Sequence, residues 1–172
     1  VRDILAKAKL IKLLMLDVDG VLTDGTLFID EQGREYKAFH ARDGYGIKLL
    51  RQHGIAVAVI SGRNSPSVAL RMQSLGIEAV FQGVENKLEP FQELLQRLNL
   101  QPWQTAHVGD DLLDLPLLQR VGLAIAVNDA HPGVLPHIDW RTMRPGGRGA
   151  VREVCDVLLH AQGHADLSSA FG

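Results

Sequence analysis

The run Lys12-Leu13-Leu14-Met15-Leu16-Asp17-Val18-Asp19-Gly20 decides how the rest of the chain is read. Four consecutive apolar side chains without alternation suit a strand buried on both faces, as in a parallel sheet, and the carboxylates mark where it meets solvent. Residues 12–17 are therefore expected to form a first strand. Runs of the same character recur at 55–60, 79–81, 104–108 and 123–127, with helical patterns between them at 43–53, 65–75, 87–98 and 111–121. Parallel strands need crossover connections, and those are usually helices. The alternation predicts an α/β fold: a doubly wound, Rossmann-like parallel sheet.

One segment breaks the alternation. Residues 26–39 hold two strand-like runs around Asp30-Glu31-Gln32-Gly33, which predicts a small β-hairpin insertion and no large cap domain. Pro132 and Pro136 interrupt the chain after the fifth strand, and Gly146-Gly147-Arg148-Gly149 leads into a last helix over 150–161. Residues 1–10 mix Arg2, Asp3, Lys7 and Lys9 with apolar side chains and read as a short amphipathic helix, not a signal peptide. A single domain is expected over 1–162, followed by a small, polar, flexible tail over 163–172.

Composition narrows the function classes. The 172 residues are 46% hydrophobic and 22% charged, without repeats or low-complexity tracts, as in one globular unit. A net charge of -2 supplies no basic field, so nucleic acid is not an expected partner. No stretch approaches the roughly 20 apolar residues of a membrane span, so a cytoplasmic protein with no membrane partner is expected. Cys155, the only cysteine, sits in an apolar helical pattern and is read as core packing.

Ligands bind outside the carboxyl ends of the strands in an open parallel sheet. There the chain places Asp17-Val18-Asp19-Gly20, Ser61-Gly62-Arg63 and Gly109-Asp110-Asp111, with Lys87 opening the helix after the third strand. Each alone has an ordinary explanation as a cap, a turn or a solvated charge. Together they set four carboxylates, a hydroxyl and a lysine on one rim. Clustered carboxylates repel and call for a cation, and all-oxygen ligands with room for phosphate suit Mg²⁺. Asp17 and Asp110 are the expected metal ligands, with Lys87 on a phosphoryl oxygen. Asp17 can attack phosphorus to give an aspartyl-phosphate. Asp19, two residues on, can protonate the leaving oxygen and then take a proton from water.

These four motifs, in this order and ending in Asp114, resemble those of the haloacid dehalogenase-like phosphatases over residues 12–127. The resemblance implies Asp17 as nucleophile and Asp19 as acid/base, the latter also lending a backbone carbonyl to the metal. It further implies Ser61 and Lys87 as phosphate ligands, Asp110 as a metal ligand, and Asp111 and Asp114 as residues that orient the metal shell or substrate. A narrower likeness rests on the run 17–25, on Arg42-Asp43-Gly44-Tyr45-Gly46-Ile47 and on 147–153. It is to the capless members that hydrolyse 3-deoxy-D-manno-octulosonate 8-phosphate in lipopolysaccharide synthesis, and it extends over 14–163. That likeness implies a homotetramer whose packed hairpins cover each site. It also implies sugar contacts from His40, Ala41, Arg42, Asp43, Gly44, Lys48, Arg63, Arg71 and Asp111. The pair His40-Ala41 departs from the Asn-Val expected there.

Two other enzymatic readings stand beside this one: a phosphatase for a nine-carbon sialic-type sugar phosphate, and a phosphomutase, which would need a shielding cap. A non-catalytic assembly module is disfavoured because Asp17, Asp19, Lys87 and Asp110 are all present. His107, inside an apolar strand, is read as a satisfied core histidine. No catalytic role is assigned to His53, His131, His137, His160 or His164.

Overall fold

The computed structural model describes residues 2–164. Along the chain, α1 (Arg2–Ala8) leads to β1 (Leu13–Leu16), then to a hairpin of β2 (Phe28–Ile29) and β3 (Glu35–Tyr36). There follow α2 (Ala41–Gln52), β4 (Ala56–Ile60), α3 (Pro66–Ser74), β5 (Ala79–Phe81), α4 (Leu88–Leu98) and β6 (Thr105–Gly109). The chain closes with α5 (Leu115–Leu118), β7 (Leu123–Ala126), β8 (Trp140–Arg141) and α6 (Ala150–Ala161). Six strands form one parallel sheet in the order β5-β4-β1-β6-β7-β8. The order grows outward from β1 in both directions, so a crevice opens between the carboxyl ends of β1 and β6.

Alternation along β1 builds two cores. Leu14 and Leu16 pack with Ile47, Leu50, Met72, Val154 and Leu158 on one face. Leu13 and Met15 pack with Phe91, Leu94 and Leu117 on the other. All four β1 side chains are fully buried, each leucine contributing roughly 1.5–3 kcal/mol relative to exposure. That double burial is why the strand reads as an unbroken apolar run.

Gly46 lets α2 approach α6: a Cβ there would stand 3.0 Å from that of Cys155. Cys155 is fully buried, as expected of core packing, and burial pushes its thiol pKa up. From the first turn of α2, Asp43 Oδ1 accepts the backbone N–H of Arg152 at 2.8 Å, so the start of α6 is capped from a neighbouring helix.

The structure corrects two expectations. The sixth strand, β8, was not foreseen because it has only two residues and follows a proline-rich segment; Thr142 N donates to Ala126 O at 2.9 Å beside it. The helix expected over 111–121 is a 3₁₀ turn at Leu112–Asp114 followed by the single turn of α5. Pro116 lacks the N–H that would join the two. At the tail, Gly163 and His164 close α6 through bonds to His160 O and Leu159 O at 3.0 and 2.9 Å, and the His164 ring lies 4.6 Å from that of His53. The rest of the expected flexible tail, 165–172, lies outside the described residues. No helix among the described residues is long and apolar enough to cross a membrane.

The hairpin is as small as expected. Asp30 Oδ1 accepts the N–H groups of Gln32 and Arg34 at 3.0 and 2.8 Å, which folds its turn, while Phe28, Ile29 and Tyr36 stay exposed.

Candidate active site

Register sets the site. Leu16 of β1 stands level with Val108 of β6 and Val59 of β4, so residues just past these strands share one edge. Asp17, Ser61 and Asp110 are those residues. Asp17 N donates to Val108 O at 3.1 Å, and the N–H groups of Val21, Leu22 and Thr23 converge on Val18 O, winding the chain into a tight turn above β1. Gly20 sits in that turn at φ +82°, and a Cβ there would run into the Asp110 carboxylate. Only glycine meets both demands.

Lys87, preceding α4, reaches into the crevice with its side chain 3% exposed. Its ammonium lies 3.2 Å from Asp17 Oδ1 and 2.7 Å from Asp114 Oδ1. Asp114 is fully buried and spends both oxygens on its neighbours. Oδ1 also meets His107 Nε2 at 2.8 Å, while Oδ2 accepts Asp110 N at 3.0 Å and Asp111 N at 3.4 Å. Lys87 and His107 hold the Asp114 pKa far below the usual carboxylate range against the burial that would raise it. His107 is partnered at Nε2, by a site carboxylate that was not foreseen, while its Nδ1 is buried without a hydrogen-bond partner.

Carboxylate oxygens of Asp17, Asp110 and Asp114 lie within 4.8 Å of one another. Burial is the largest cause raising Asp17 to about 6 and Asp110 to about 8; nearby carboxylates add repulsion and Lys87 opposes it. Two carboxylates that resist ionisation side by side, with an all-oxygen donor set, fit a hard divalent cation. Asp114, already saturated by four donors, is a support for that pair.

Asp19 belongs to a second network. Its Oδ1 lies 2.5 Å from Lys37 Nζ, and its Oδ2 is 3.6 Å from Arg63 Nε. Lys37 and Arg63 both also pair with Glu35 of β3. Reading the sequence missed Lys37 and Glu35, because a solvated charge and a functional one look alike on a short polar hairpin. Ser61 is buried, and its Oγ accepts Arg63 N at 3.3 Å. Asp111 is exposed and caps the 3₁₀ turn through Leu112 N at 2.7 Å.

The expected sugar contacts divide. Arg63 stands beside Asp19, and His40, Ala41 and Arg42 begin α2. Arg42 lines a groove with Met143, Arg144, Arg152 and Glu153. Asp43, expected at the sugar, is buried and caps α6, and a Cβ on Gly44 would strike the Arg71 guanidinium, which also lies 6.0 Å from the Phe39 ring. Lys48 lines a different groove, with Arg51, Gln52, Gln73 and Ser74. Asp43 and Gly44 are buried, Arg71 is partly buried and Lys48 is exposed.

A parallel sheet with acidic and lysine side chains gathered at its switch point defines the class: the chain belongs to the haloacid dehalogenase-like hydrolase family, whose model matches residues 46–122. Among relatives, the chain is 52% identical to the 3-deoxy-D-manno-octulosonate 8-phosphate phosphatase of Escherichia coli K12, over 95% of this chain and 87% of that one. A Yersinia pestis phosphatase structure of the same name superposes with a TM-score of 0.93 at 49% identity, covering 94% of this chain and 88% of that one. The Moraxella catarrhalis enzyme, solved with magnesium ion, phosphate ion and KDO, gives a TM-score of 0.94 at 40% identity, over 99% and 98% of the two chains. By family and relatives this chain is a phosphoric monoester hydrolase.

Proposed function

We propose that the chain hydrolyses 3-deoxy-D-manno-octulosonate 8-phosphate to the free acidic sugar and inorganic phosphate, in lipopolysaccharide synthesis, with Asp17 as covalent nucleophile. The convergence of Asp17, Lys87 and Asp110 at the carboxyl edge of the sheet carries the reading, and the likeness to the Moraxella enzyme solved with phosphate ion and KDO supports the substrate.

Mg²⁺ would be held by the carboxylates of Asp17 and Asp110 and the backbone carbonyl of Asp19; when bound, it neutralises phosphoryl charge and lets both carboxylates ionise. Lys87, held between Asp17 and Asp114, and the buried Ser61 cradle the transferred phosphoryl oxygens. An ionised Asp17 oxygen bonds to phosphorus while the bond to the sugar oxygen breaks. Asp19, which enters this step protonated, gives that oxygen its proton and is left as the carboxylate. Water then attacks the aspartyl-phosphate, Asp19 takes the proton, and the bond from Asp17 to phosphorus breaks to free phosphate.

The exposed Leu27, Phe28, Ile29 and Tyr36 of the hairpin suit packing among copies, which supports a homotetramer in which neighbours cover each open mouth.

Asp17→Asn should lower turnover by more than about a thousandfold while leaving the unfolding midpoint in place; near-normal activity would remove the covalent mechanism. Chelation should stop turnover and Mg²⁺ restore it. Comparing kcat/KM on the eight-carbon sugar phosphate, a nine-carbon acidic sugar phosphate and an aryl phosphate tests the substrate. A clear preference for the nine-carbon compound would replace it.

A further inference from the structure

Lys37 emerges from the hairpin 18 residues beyond Asp19, with its side chain only 1% exposed. Its ammonium faces two anions: Asp19 Oδ1 at 2.5 Å and Glu35 Oε1 at 2.8 Å. Arg63 closes the figure, with Nε 3.6 Å from Asp19 Oδ2 and Nη2 bonded to Glu35 Oε2. The result is a neutral ring of two cations and two carboxylates, linking the turn after β1, the strand β3 and the loop after β4.

Burying a lysine is costly, and a buried ion pair is often no more stable than apolar packing of the same volume. The fold has little need of one here, since the hairpin is a two-pair ribbon outside both cores. What Lys37 does touch is the carboxylate that has to hand over a proton. The two oxygens of Asp19 are held unequally: Oδ1 tightly by Lys37, Oδ2 loosely by Arg63. A carboxyl group turns freely about its last bond unless one oxygen is pinned.

We propose that Lys37 is the positioning residue of the reaction, resting on the reading of Asp19 as acid/base given above. It pins Oδ1, so that Oδ2 carries the proton delivered to the leaving oxygen and, once ionised, takes one from the attacking water. Glu35 holds Lys37 from the other side, so the hairpin is part of the proton-transfer apparatus as well as a candidate packing surface. Lys37 acts through Asp19 and needs no contact with substrate. Fixing a reacting group in one orientation is a recognised source of rate, and its loss is felt only in the step that uses the group.

The leaving group supplies the test. A sugar alkoxide needs a proton as it departs, whereas 2,4-dinitrophenolate leaves as an anion. The measurement is kcat/KM for wild type, Lys37→Met, the charge-balanced Lys37→Met/Glu35→Gln pair and Asp19→Asn, each on 3-deoxy-D-manno-octulosonate 8-phosphate and on 2,4-dinitrophenyl phosphate. Both Lys37 variants are expected to lose about a hundredfold on the sugar phosphate and no more than about threefold on the aryl phosphate. The double variant keeps the ring neutral, so a selective loss there does not arise from an unpaired buried charge. Equal losses on both substrates, or none, in a folded double variant would overturn the proposal and leave the Asp19 reading intact if Asp19→Asn is itself selective. An Asp19→Asn that loses both substrates equally would overturn the acid/base reading and this inference with it.

Discussion

Asp17 and Asp19 are separated by one residue, yet they are held by two different charge networks. Below them lies a floor of Lys87, Asp114 and His107, whose side chains are 0–3% exposed and which hang from α4, the turn after β6 and β6 itself. Above them lies a rim of Lys37, Glu35 and Arg63, carried by the hairpin and a loop, with Arg63 49% exposed. The floor is continuous with the sheet, so its charges cannot be disturbed without disturbing the core. The rim is attached to a ribbon with two residue pairs that lies outside both cores. Asp17 and Asp19 are thereby held apart: one by the charges of the sheet edge, the other by the hairpin and the loop after β4.

Asp114→Ala should show the contrast at its largest. The change leaves the buried Lys87 ammonium without its nearer partner, frees His107 Nε2, and strips the N–H groups of Asp110 and Asp111 of their acceptor. Breaking a buried pair in this way costs about 3–5 kcal/mol, read by urea unfolding. A loss below about 1 kcal/mol would mean that the floor is not part of the core.

Metal and pH sharpen the same contrast, with a smaller effect. Asp17 rises to about 6 and Asp110 to about 8 in the metal-free fold, from an ordinary 3.8. Between pH 4 and 8 the folded chain therefore binds more protons than the unfolded one, and metal-free stability falls as pH rises through that window. A divalent cation favours the ionised pair and removes the penalty. The gain in melting temperature from Mg²⁺ over chelator should be larger at pH 8 than at pH 5.5. An equal or larger gain at pH 5.5 would break the assignment of this pair to the metal.

The strand-end residues were legible in the sequence, whereas the hairpin's part in the rim was not, and one physical reason covers both. A parallel sheet fixes where its strand ends lie, so Asp17, Ser61 and Asp110 could be set on one edge from their positions after apolar runs. Lys37 meets Asp19 only because a hairpin folds back by 18 residues, and no periodicity records that docking. The Arg42 to Ile47 motif carries structural content that the sequence does not display: Asp43 caps α6 and Gly46 admits it, a tertiary event invisible from α2 alone. His107 gave half its meaning: burial was readable from its apolar strand, whereas Asp114 as partner needed the turn after β6 to fold back.

Arg63→Ala should have the smallest effect and defines the upper edge of the rim. Its guanidinium is half exposed and its contact with Asp19 is long, so the pair is open to water and ions. Exposed ion pairs contribute about 0–1 kcal/mol, and the screening length shrinks to about 3 Å in 1 M salt. The stability loss on Arg63→Ala should stay under about 1 kcal/mol in dilute buffer and vanish in 1 M sodium chloride, while the Asp114→Ala loss persists there. A salt-resistant loss above about 2 kcal/mol for Arg63→Ala, more than exposed pairs give, would merge rim and floor into one structural unit. The hairpin would then be a fixed wall of the site.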